Sequence, residues 1–381
     1  MRICLYTATA LPKLGGQEAV VDSLARHFTR LGHRAVVLAP RPRLPLLPQD
    51  HDLPYPVVRH PRFYSTRHFV SLYRRFLLPL HAKENFDVVH CHDVYPTGYL
   101  AALCRERMAI PLVITSHGGD VKEGNIRISK AGMEARYIRA VESADALVSI
   151  GNFTTEGFRR LHGSDKQIVP IPNGIDPEPF AAPAGRPVDL DAKVRAGQFI
   201  LFLGRLKSRK GVDVLLDAIT HLPAKIGVHF VIAGTGEEES ELKSLARELN
   251  VDRRVHFVGR VEGEGKMWLL QNALCVTMPS RDWEAFPLVL LESFAAGKAV
   301  IGSRIPGIED LLEDNVTGRL TPEGSPEALA DAFAELISNP DRAREMGERA
   351  KAFARNYSWD AVAARHIALY DTLACGRPRQ S

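Results

Sequence analysis

Two acids, Glu284 and Glu292, lie eight positions apart in Ser280-Arg-Asp-Trp-Glu-Ala-Phe-Pro-Leu-Val-Leu-Leu-Glu292, on either side of a proline and a run of large apolar residues. Pro287 suits the first position of a helix, which leaves Glu284 in the preceding loop, Glu292 in the second turn and Gly297 past the last turn. On that reading one segment offers an acid, the amides near Phe286 and Leu288, and a second acid along roughly 10–12 Å, from the helix rise per residue. Carboxylates bind vicinal hydroxyls because each oxygen accepts a hydrogen bond. The ligand that fits carries hydroxyls at both ends and negative charge between them, the layout of a nucleotide sugar. On spacing alone, two surface charges on an ordinary helix remain the alternative.

Other residue groups supply the missing anion contacts. Gly204-Arg205 is followed by Leu-Lys-Ser-Arg and then Lys210-Gly211, ahead of a helical pattern over Val212–Ile219. Arg205 can grip two phosphate oxygens as a fork, Lys210 adds a point charge, and a helix N-terminus adds its positive end. His117-Gly-Gly-Asp120 follows a predicted strand and puts an imidazole at a strand end with an open approach. Gly15-Gly16 follows the first predicted strand, where paired glycines serve either a plain tight turn or close approach to a ligand at a helix start. Gly234-Thr-Gly236 begins like a dinucleotide fingerprint, but Glu237-Glu-Glu239 takes the place of a third glycine and would repel a pyrophosphate.

These groups need strands and helices to hold them. Short β-branched or apolar runs alternate with amphipathic stretches, which predicts strand-helix units and parallel sheets. In the first half the strands fall at about Arg2–Tyr6, Ala35–Ala39, Val88–His90, Leu112–Ser116, Ala146–Ile150 and Gln167–Ile171, with a helix over Gln17–Leu31 closed by Gly32. In the second they fall at Phe199–Leu203, Val228–Ala233, Val255–Val258, Leu274–Met278 and Ala299–Gly302, with mainly helical sequence from Pro326. Between them, Pro170 to Pro187 is dense in proline and glycine, which stops regular structure and marks a linker. The fold class is therefore α/β, with two Rossmann-like doubly wound parallel-sheet domains facing across a cleft. Residues 1–172 form the first domain, 173–187 the linker and 188–359 the second. Open α/β sheets bind ligands beyond the carboxyl ends of their strands, where every motif above falls.

A chain of 381 residues suits two such domains, and no apolar run approaches the roughly 20 residues that span a bilayer. The segment Met1–Ala10 has a signal-like outline, yet Arg2 to Tyr6 reads better as a buried first strand. Five scattered cysteines without Cys-x-x-Cys spacing fit a reducing cytoplasm. The net charge of +4 is uneven: residues 1–180 hold 23 Lys/Arg against 17 Asp/Glu, leaving 26 against 28 for the rest. No basic/aromatic RNA motif or helix-turn-helix accompanies that charge, so nucleic acid is not the expected partner. From Leu53 to Ala82 there is no acid, and arginines (Arg59, Arg62, Arg67, Arg74, Arg75) interleave with aromatics. Phe69, Tyr73, Phe76 and Leu80 recur at helical spacing from Thr66 to His81. Residues 59–80 could thus rest peripherally on an anionic membrane at the cytoplasmic face, or pack an aromatic side on the first sheet and solvate the arginines.

Together, Gly15-Gly16, His117, Pro172-Asn-Gly-Ile-Asp176, Gly204-Arg205 with Lys210-Gly211, and the Glu-x7-Glu pair resemble the retaining glycosyltransferases of the GT-B fold called family 4, over nearly the whole chain. The resemblance implies that Arg205 and Lys210 hold the donor diphosphate, Glu292 the ribose hydroxyls, and Glu284 the transferred sugar. It implies His117 near that sugar, the 258–262 loop near the base, and a C-terminal helix from about 360 to 381 returning to the first domain. Catalytic work then falls to His117, Arg205, Lys210 and Glu284. Donor binding falls to Gly15, Gly16, Arg205, Lys210, Glu284, Ala285, Phe286, Pro287, Leu288 and Glu292. Ala285 and Pro287 stand where the family commonly has glycine, and Pro306-Gly307 replaces a frequent Gly-Gly.

The function expected is transfer of a hexosyl unit, with retention, from a nucleoside-diphosphate sugar to a hydroxyl of a glycan, a lipid-linked or a phosphorylated acceptor. No cofactor is expected, since fixed cations can take the charge of the leaving diphosphate. No metal is expected either: the Asp-x-Asp at Asp189-Leu-Asp191 falls in the polar linker rather than after a strand. A sugar-nucleotide 2-epimerase or hydrolase of the same fold, and a non-catalytic sugar-nucleotide binder, are the competing readings.

Overall fold

The computed structural model describes residues 1–13, 15–42, 52–62, 70–162, 167–187, 190–223 and 225–375. Thirteen strands are described: β1 (Arg2–Tyr6), β2 (Arg34–Pro40), β3 (Val57–His60), β4 (Val88–Cys91), β5 (Leu112–Thr115), β6 (Ala146–Ser149), β7 (Ile168–Pro170), β8 (Phe199–Leu203), β9 (His229–Ala233), β10 (Val255–Gly259), β11 (Cys275–Met278), β12 (Val300–Ser303) and β13 (Gly318–Thr321). They form two sheets, one of seven strands in the order β3-β2-β1-β4-β5-β6-β7 and one of six in the order β10-β9-β8-β11-β12-β13. All pairings between these strands are parallel. The doubly wound α/β class expected from the alternating pattern is what forms, twice.

The chain divides into two compact units, one of Met1–Gly174 with Trp359–Ser381 and one of Ile175–Ser358. The central strands are apolar on both faces because helices cover both; Ile3, Cys4, Leu5 and Tyr6 of β1 are fully buried. The helix Gly16–Arg30 buries Val20, Val21, Leu24, Ala25 and Phe28, one stripe at helical spacing, and ends where Gly32 takes φ 83°.

Two edge strands, β3 and β13, were not expected. An edge strand is paired on one side only, and these carry Arg59, His60 and Arg319 instead of an unbroken apolar run. The linker also differs from expectation. Within it Glu178–Ala181 forms one helical turn after Pro177 and buries Phe180 in the core of the second unit.

The C-terminal helix Trp359–Cys375 belongs to the first unit. Its ring edges pack on Phe28 through His366 and Tyr370, and Arg30 pairs with Asp360. A Cβ on Gly174 would lie 2.7 Å from the Trp359 ring, so the end of the first unit passes the start of this helix at a place only glycine allows.

The expected basic helix over Thr66–His81 lies partly outside the described residues. What is described is a helix over Arg74–Glu84 preceded by a turn from Val70 to Tyr73. Its aromatic side faces its own unit: Tyr73 and Leu77 are buried, and Tyr73 and Phe76 pack on His60. Arg74 and Arg75 are exposed, whereas Arg59 is spent on the carbonyls of Pro40 and Leu11. No helix among the described residues is long and apolar enough to cross a membrane. Cys4, Cys91, Cys104 and Cys275 are free and buried, and Cys375 is free and exposed.

Candidate active site

In each sheet the strand order reverses once, between β1 and β4 in the first and between β8 and β11 in the second. Loops leaving adjacent strands in opposite directions open a crevice there, the usual ligand position in such sheets. The residues singled out by type and spacing gather at these two places.

In the second unit, β8 leads into Gly204–Gly211 and β11 into Pro279–Pro287. Gly211, at φ 64°, opens the helix Val212–Thr220, and a Cβ there would sit 1.9 Å from the Pro279 carbonyl. The backbones touch at that point, and Arg281 N–H donates to the Arg209 carbonyl at 2.7 Å. This contact brings Lys210 Nζ to 2.5 Å from Glu284 Oε1. Ser280 Oγ donates to the same oxygen at 2.9 Å, and Arg209 Nη1 lies 3.4 Å from it. Arg209 also donates to the Trp283 carbonyl at 3.0 Å and lies over the Trp283 ring at 5.0 Å.

Glu284 is 5% exposed. Burial pushes its carboxyl up, but Lys210 and Arg209 outweigh burial and hold it below its ordinary value. Lys210 is pulled down by burial and by the charges of Arg209 and Arg205, against the opposing pull of Glu284. Lys210 and Arg209 therefore share one buried carboxylate, and Arg205 stands within electrostatic reach of Lys210. Arg205 itself is exposed. Sequence reading missed Arg209, because a basic loop residue next to Lys210 carries no signal of its own.

Pro287 is the residue before the helix Leu288–Ala295 rather than its first position, since its ψ of 102° is extended. That correction moves Glu292 by one position within the helix and leaves Glu284 in the loop. Ala285 and Pro287 are buried, Phe286 and Leu288 half-buried, and Phe286 packs beside Tyr357. Gly297 takes φ 69° past the last turn, as expected. Glu292 Oε1 is held at 2.6 Å by Lys266 Nζ, and its Oε2 is buried without a partner among the described residues. Lys266, on the helix Gly263–Asn272, was also not foreseen.

The glycines of Gly234-Thr-Gly236 serve packing. Cβ atoms there would lie 1.7 Å from the Gly204 carbonyl and 2.0 Å from that of Leu206, so they let the β9 loop lie on the Arg205 loop. Pro306-Gly307 keeps its glycine where it counts: Gly307 has φ 87°, and a Cβ would sit 1.6 Å from the Glu284 carbonyl. Glu284 N–H donates to the Pro306 carbonyl at 3.0 Å. Asp191 is exposed and lies 3.8 Å from His256, while Asp189 lies outside the described residues.

In the first unit, Gly15 precedes and Gly16 begins the helix that follows β1. Gln17 Nε2 donates to Thr7 Oγ1 at 3.0 Å and to the His92 carbonyl at 2.8 Å, tying the β1 loop to the β4 loop. His117, after β5, places Nε2 3.2 Å from His92 Nδ1. Burial lowers His117 to about 4. Glu18, 3% exposed, accepts from Thr9 Oγ1 at 2.5 Å and pairs with Lys13 at 2.9 Å. Asp93 accepts from Ala8 N–H at 3.1 Å, and burial raises it to about 7, with Asp120 adding to the rise. The two carboxyls, Asp93 and Asp120, and the His92 ring belong to the same strand ends as His117 and were not singled out as ligands.

Similarity to known proteins agrees with this arrangement. Residues 14–179 match the family model of Glycosyltransferase Family 4, and residues 192–353 that of Glycosyl transferases group 1. A phosphatidyl-myo-inositol mannosyltransferase of Mycobacterium leprae is 31% identical over 98% of this chain and 97% of its own. A D-inositol 3-phosphate glycosyltransferase of Xylanimonas cellulosilytica is 31% identical over 77% of this chain and 73% of its own. Among solved structures, Anabaena HepE in complex with UDP superposes with a TM-score of 0.80 at 20% identity, covering 98% of this chain and 100% of that one. The sucrose-phosphate synthase of Thermosynechococcus elongatus gives 0.81 at 22% identity, covering 99% and 100%. With its switch-point loops, its paired parallel sheets and a full-length relative at this identity, the chain belongs to the family 4 (group 1) glycosyltransferases of the GT-B fold.

Proposed function

We propose that this glycosyltransferase moves a hexosyl unit from a nucleoside-diphosphate sugar to a hydroxyl of a phosphate-bearing acceptor, with retention at the anomeric carbon and without a divalent cation. The observation that carries the donor half is the pairing of Lys210 and Arg209 with the buried carboxylate of Glu284, with Arg205 within electrostatic reach of Lys210.

As the anomeric C–O bond breaks, negative charge builds on the departing diphosphate. Cations already fixed at the start of the helix Val212–Thr220 bind that charge more tightly than they bind the ground state, which lowers the barrier. In this reading Arg205 and Lys210 hold the diphosphate. Glu284 keeps Oε1 on Lys210, Ser280 and Arg209 and turns Oε2 to the hydroxyls of the transferred sugar. Glu292 keeps Oε1 on Lys266 and offers its unpartnered Oε2 to the ribose. His117, Gly15 and Gly16 of the first unit bind the donor as well, as the family resemblance implies. Retention follows the family, with the departing phosphate taking the acceptor's proton on the face it leaves.

The acceptor half rests on the basic excess of residues 1–180 and on relatives whose names carry phosphatidyl-myo-inositol and D-inositol 3-phosphate. Exposed Arg74 and Arg75 suit a phosphate group on the acceptor or an anionic membrane holding it at the cytoplasmic face.

The test is a panel of UDP, GDP, ADP and dTDP sugars offered with inositol phosphates and phosphatidylinositol vesicles, with and without EDTA, and products identified by NMR. A new α-linked glycoside from an α-configured donor, formed equally in EDTA, is expected. Free sugar or a 2-epimer as the sole product in every combination contradicts the transfer reading, and a β-linkage contradicts retention.

A further inference from the structure

His92 lies just beyond β4 and is fully buried, beside the half-buried His117. Its backbone is fixed on both sides: its N–H donates to the Tyr6 carbonyl at 2.9 Å, and its carbonyl accepts from Gln17. Its ring lies against His90, with centroids 4.3 Å apart. His90 is in turn held by Tyr370 Oη at Nδ1, 2.6 Å, and by Thr115 Oγ1 at Nε2, 2.7 Å. The His92 imidazole thus has one orientation. Nδ1 meets His117 Nε2 at 3.2 Å, and Nε2 points into protein with no partner among the described residues.

A neutral imidazole carries one proton, and burial keeps His90, His92 and His117 neutral near pH 7. Two arrangements satisfy the 3.2 Å contact. If His117 Nε2–H donates, the His92 proton must sit on Nε2, where it becomes a buried donor with nothing to bond. If His92 Nδ1–H donates, the buried Nε2 is a bare lone pair and His117 carries its proton on Nδ1. Orphaned buried N–H groups are the rarer of the two defects, so the second arrangement is favoured.

We propose that His92 is a positioning residue: it holds His117 in the Nδ1–H tautomer, so that the half-buried side of the His117 ring presents a hydrogen-bond donor to an oxygen of the ligand. That the ligand is the glycosyl donor rests on the function proposed above. The tautomer itself does not, and this separates the two in the experiment.

The first arm needs no substrate. Nitrogen-15 imidazole spectra of the full-length protein at pH 7 are expected to show His117 protonated at Nδ1 and bare at Nε2. In His92→Leu the His117 signals are expected to move towards the Nε2–H form. The second arm measures turnover with the nucleotide sugar and acceptor that react. His92→Leu is expected to lower kcat about 10- to 100-fold, the usual cost of losing a group that orients a functional imidazole, with the donor KM unchanged. His92→Asn places an amide N–H where Nδ1–H stood and is expected to recover most of the loss. His117 protonated at Nε2 in the unaltered protein overturns the proposal, whether or not the variants fold. So does a folded His92→Leu with unchanged kcat, or a His92→Asn as slow as His92→Leu. If no nucleotide sugar reacts at all, the proposed function fails and the spectra still decide the tautomer.

Discussion

Glu284 and Glu292 are held in the same way, each with Oε1 on a lysine, Lys210 at 2.5 Å and Lys266 at 2.6 Å. Each lysine comes from a different part of the chain, and Glu292 Oε2 is buried without a partner among the described residues. An anchored carboxylate costs little further ordering when a hydroxyl arrives, which is what a sugar-binding acid needs.

The two acids should separate kinetically. Glu292→Gln keeps shape but weakens the hydrogen bonds to ribose hydroxyls, so nucleoside-diphosphate affinity should fall about 10-fold, as expected for loss of a charge-assisted bond. Glu284→Gln should leave binding of the nucleoside diphosphate nearly intact and lower kcat with the sugar nucleotide. Calorimetry with the diphosphate, set against turnover, checks both. Equal loss of diphosphate affinity in the two variants would contradict the assignment.

Lys210→Ala removes the cation nearest the carboxylate and should cost about 100- to 1000-fold in kcat, the range for a preorganised donor aimed at developing charge. Arg209→Ala should cost less, because Arg209 acts through Glu284 and Trp283. Steady-state kinetics on the two variants, with melting temperatures to exclude unfolding, measures the difference.

Gly307→Ala should be strongly destabilising. The residue has φ 87°, and its new Cβ would meet the Glu284 carbonyl at 1.6 Å, with backbone rather than a flexible side chain in the way. Strain of this kind is worth on the order of 1–3 kcal/mol or more, and Glu284 would be displaced in relieving it. Chemical denaturation should show the loss, and activity should fall with it.

Stability should decline as pH drops below about 6.5, the ordinary histidine value. His90, His92, His117 and His366 are buried neutral, His117 lowered to about 4 and His366 to about 3. Unfolding between those values and 6.5 takes up protons, so the imidazoles' contribution to stability is complete above 6.5 and is lost as pH falls. Asp93, raised to about 7, and Asp120, also raised by burial, work in the opposite direction and do not reverse the sum of four imidazoles. His366→Phe should reduce the slope by about 1.4 kcal/mol per pH unit over pH 4–6. Denaturation midpoints measured against pH test this.

Much of the fold was legible because buried parallel strands are short apolar runs, and β1 and β8 lie within the very bounds that pattern gives. β3 and β13 were not, because an edge strand tolerates Arg59 and Arg319. The position of Glu284 between a strand and a helix was readable from Pro287 and Gly297. Its partner was not: Lys210 is 74 residues away, and spacing cannot tell that a basic loop residue and an acid so far apart in the chain pair with each other. The aromatic side of residues 70–84 was readable as a helical stripe, but whether it met a membrane or its own core was a question of tertiary packing, settled for Tyr73 and Phe76 by His60.

The central claim is that Arg205 and Lys210 form the seat of a sugar nucleotide's diphosphate. Isothermal titration calorimetry of the intact chain with UDP-, GDP-, ADP- and dTDP-hexoses tests it most directly. At least one should bind with measurable heat and lose that heat in the Arg205→Ala, Lys210→Ala double variant. Absence of binding by all four, or binding that the double variant retains unchanged, would contradict it.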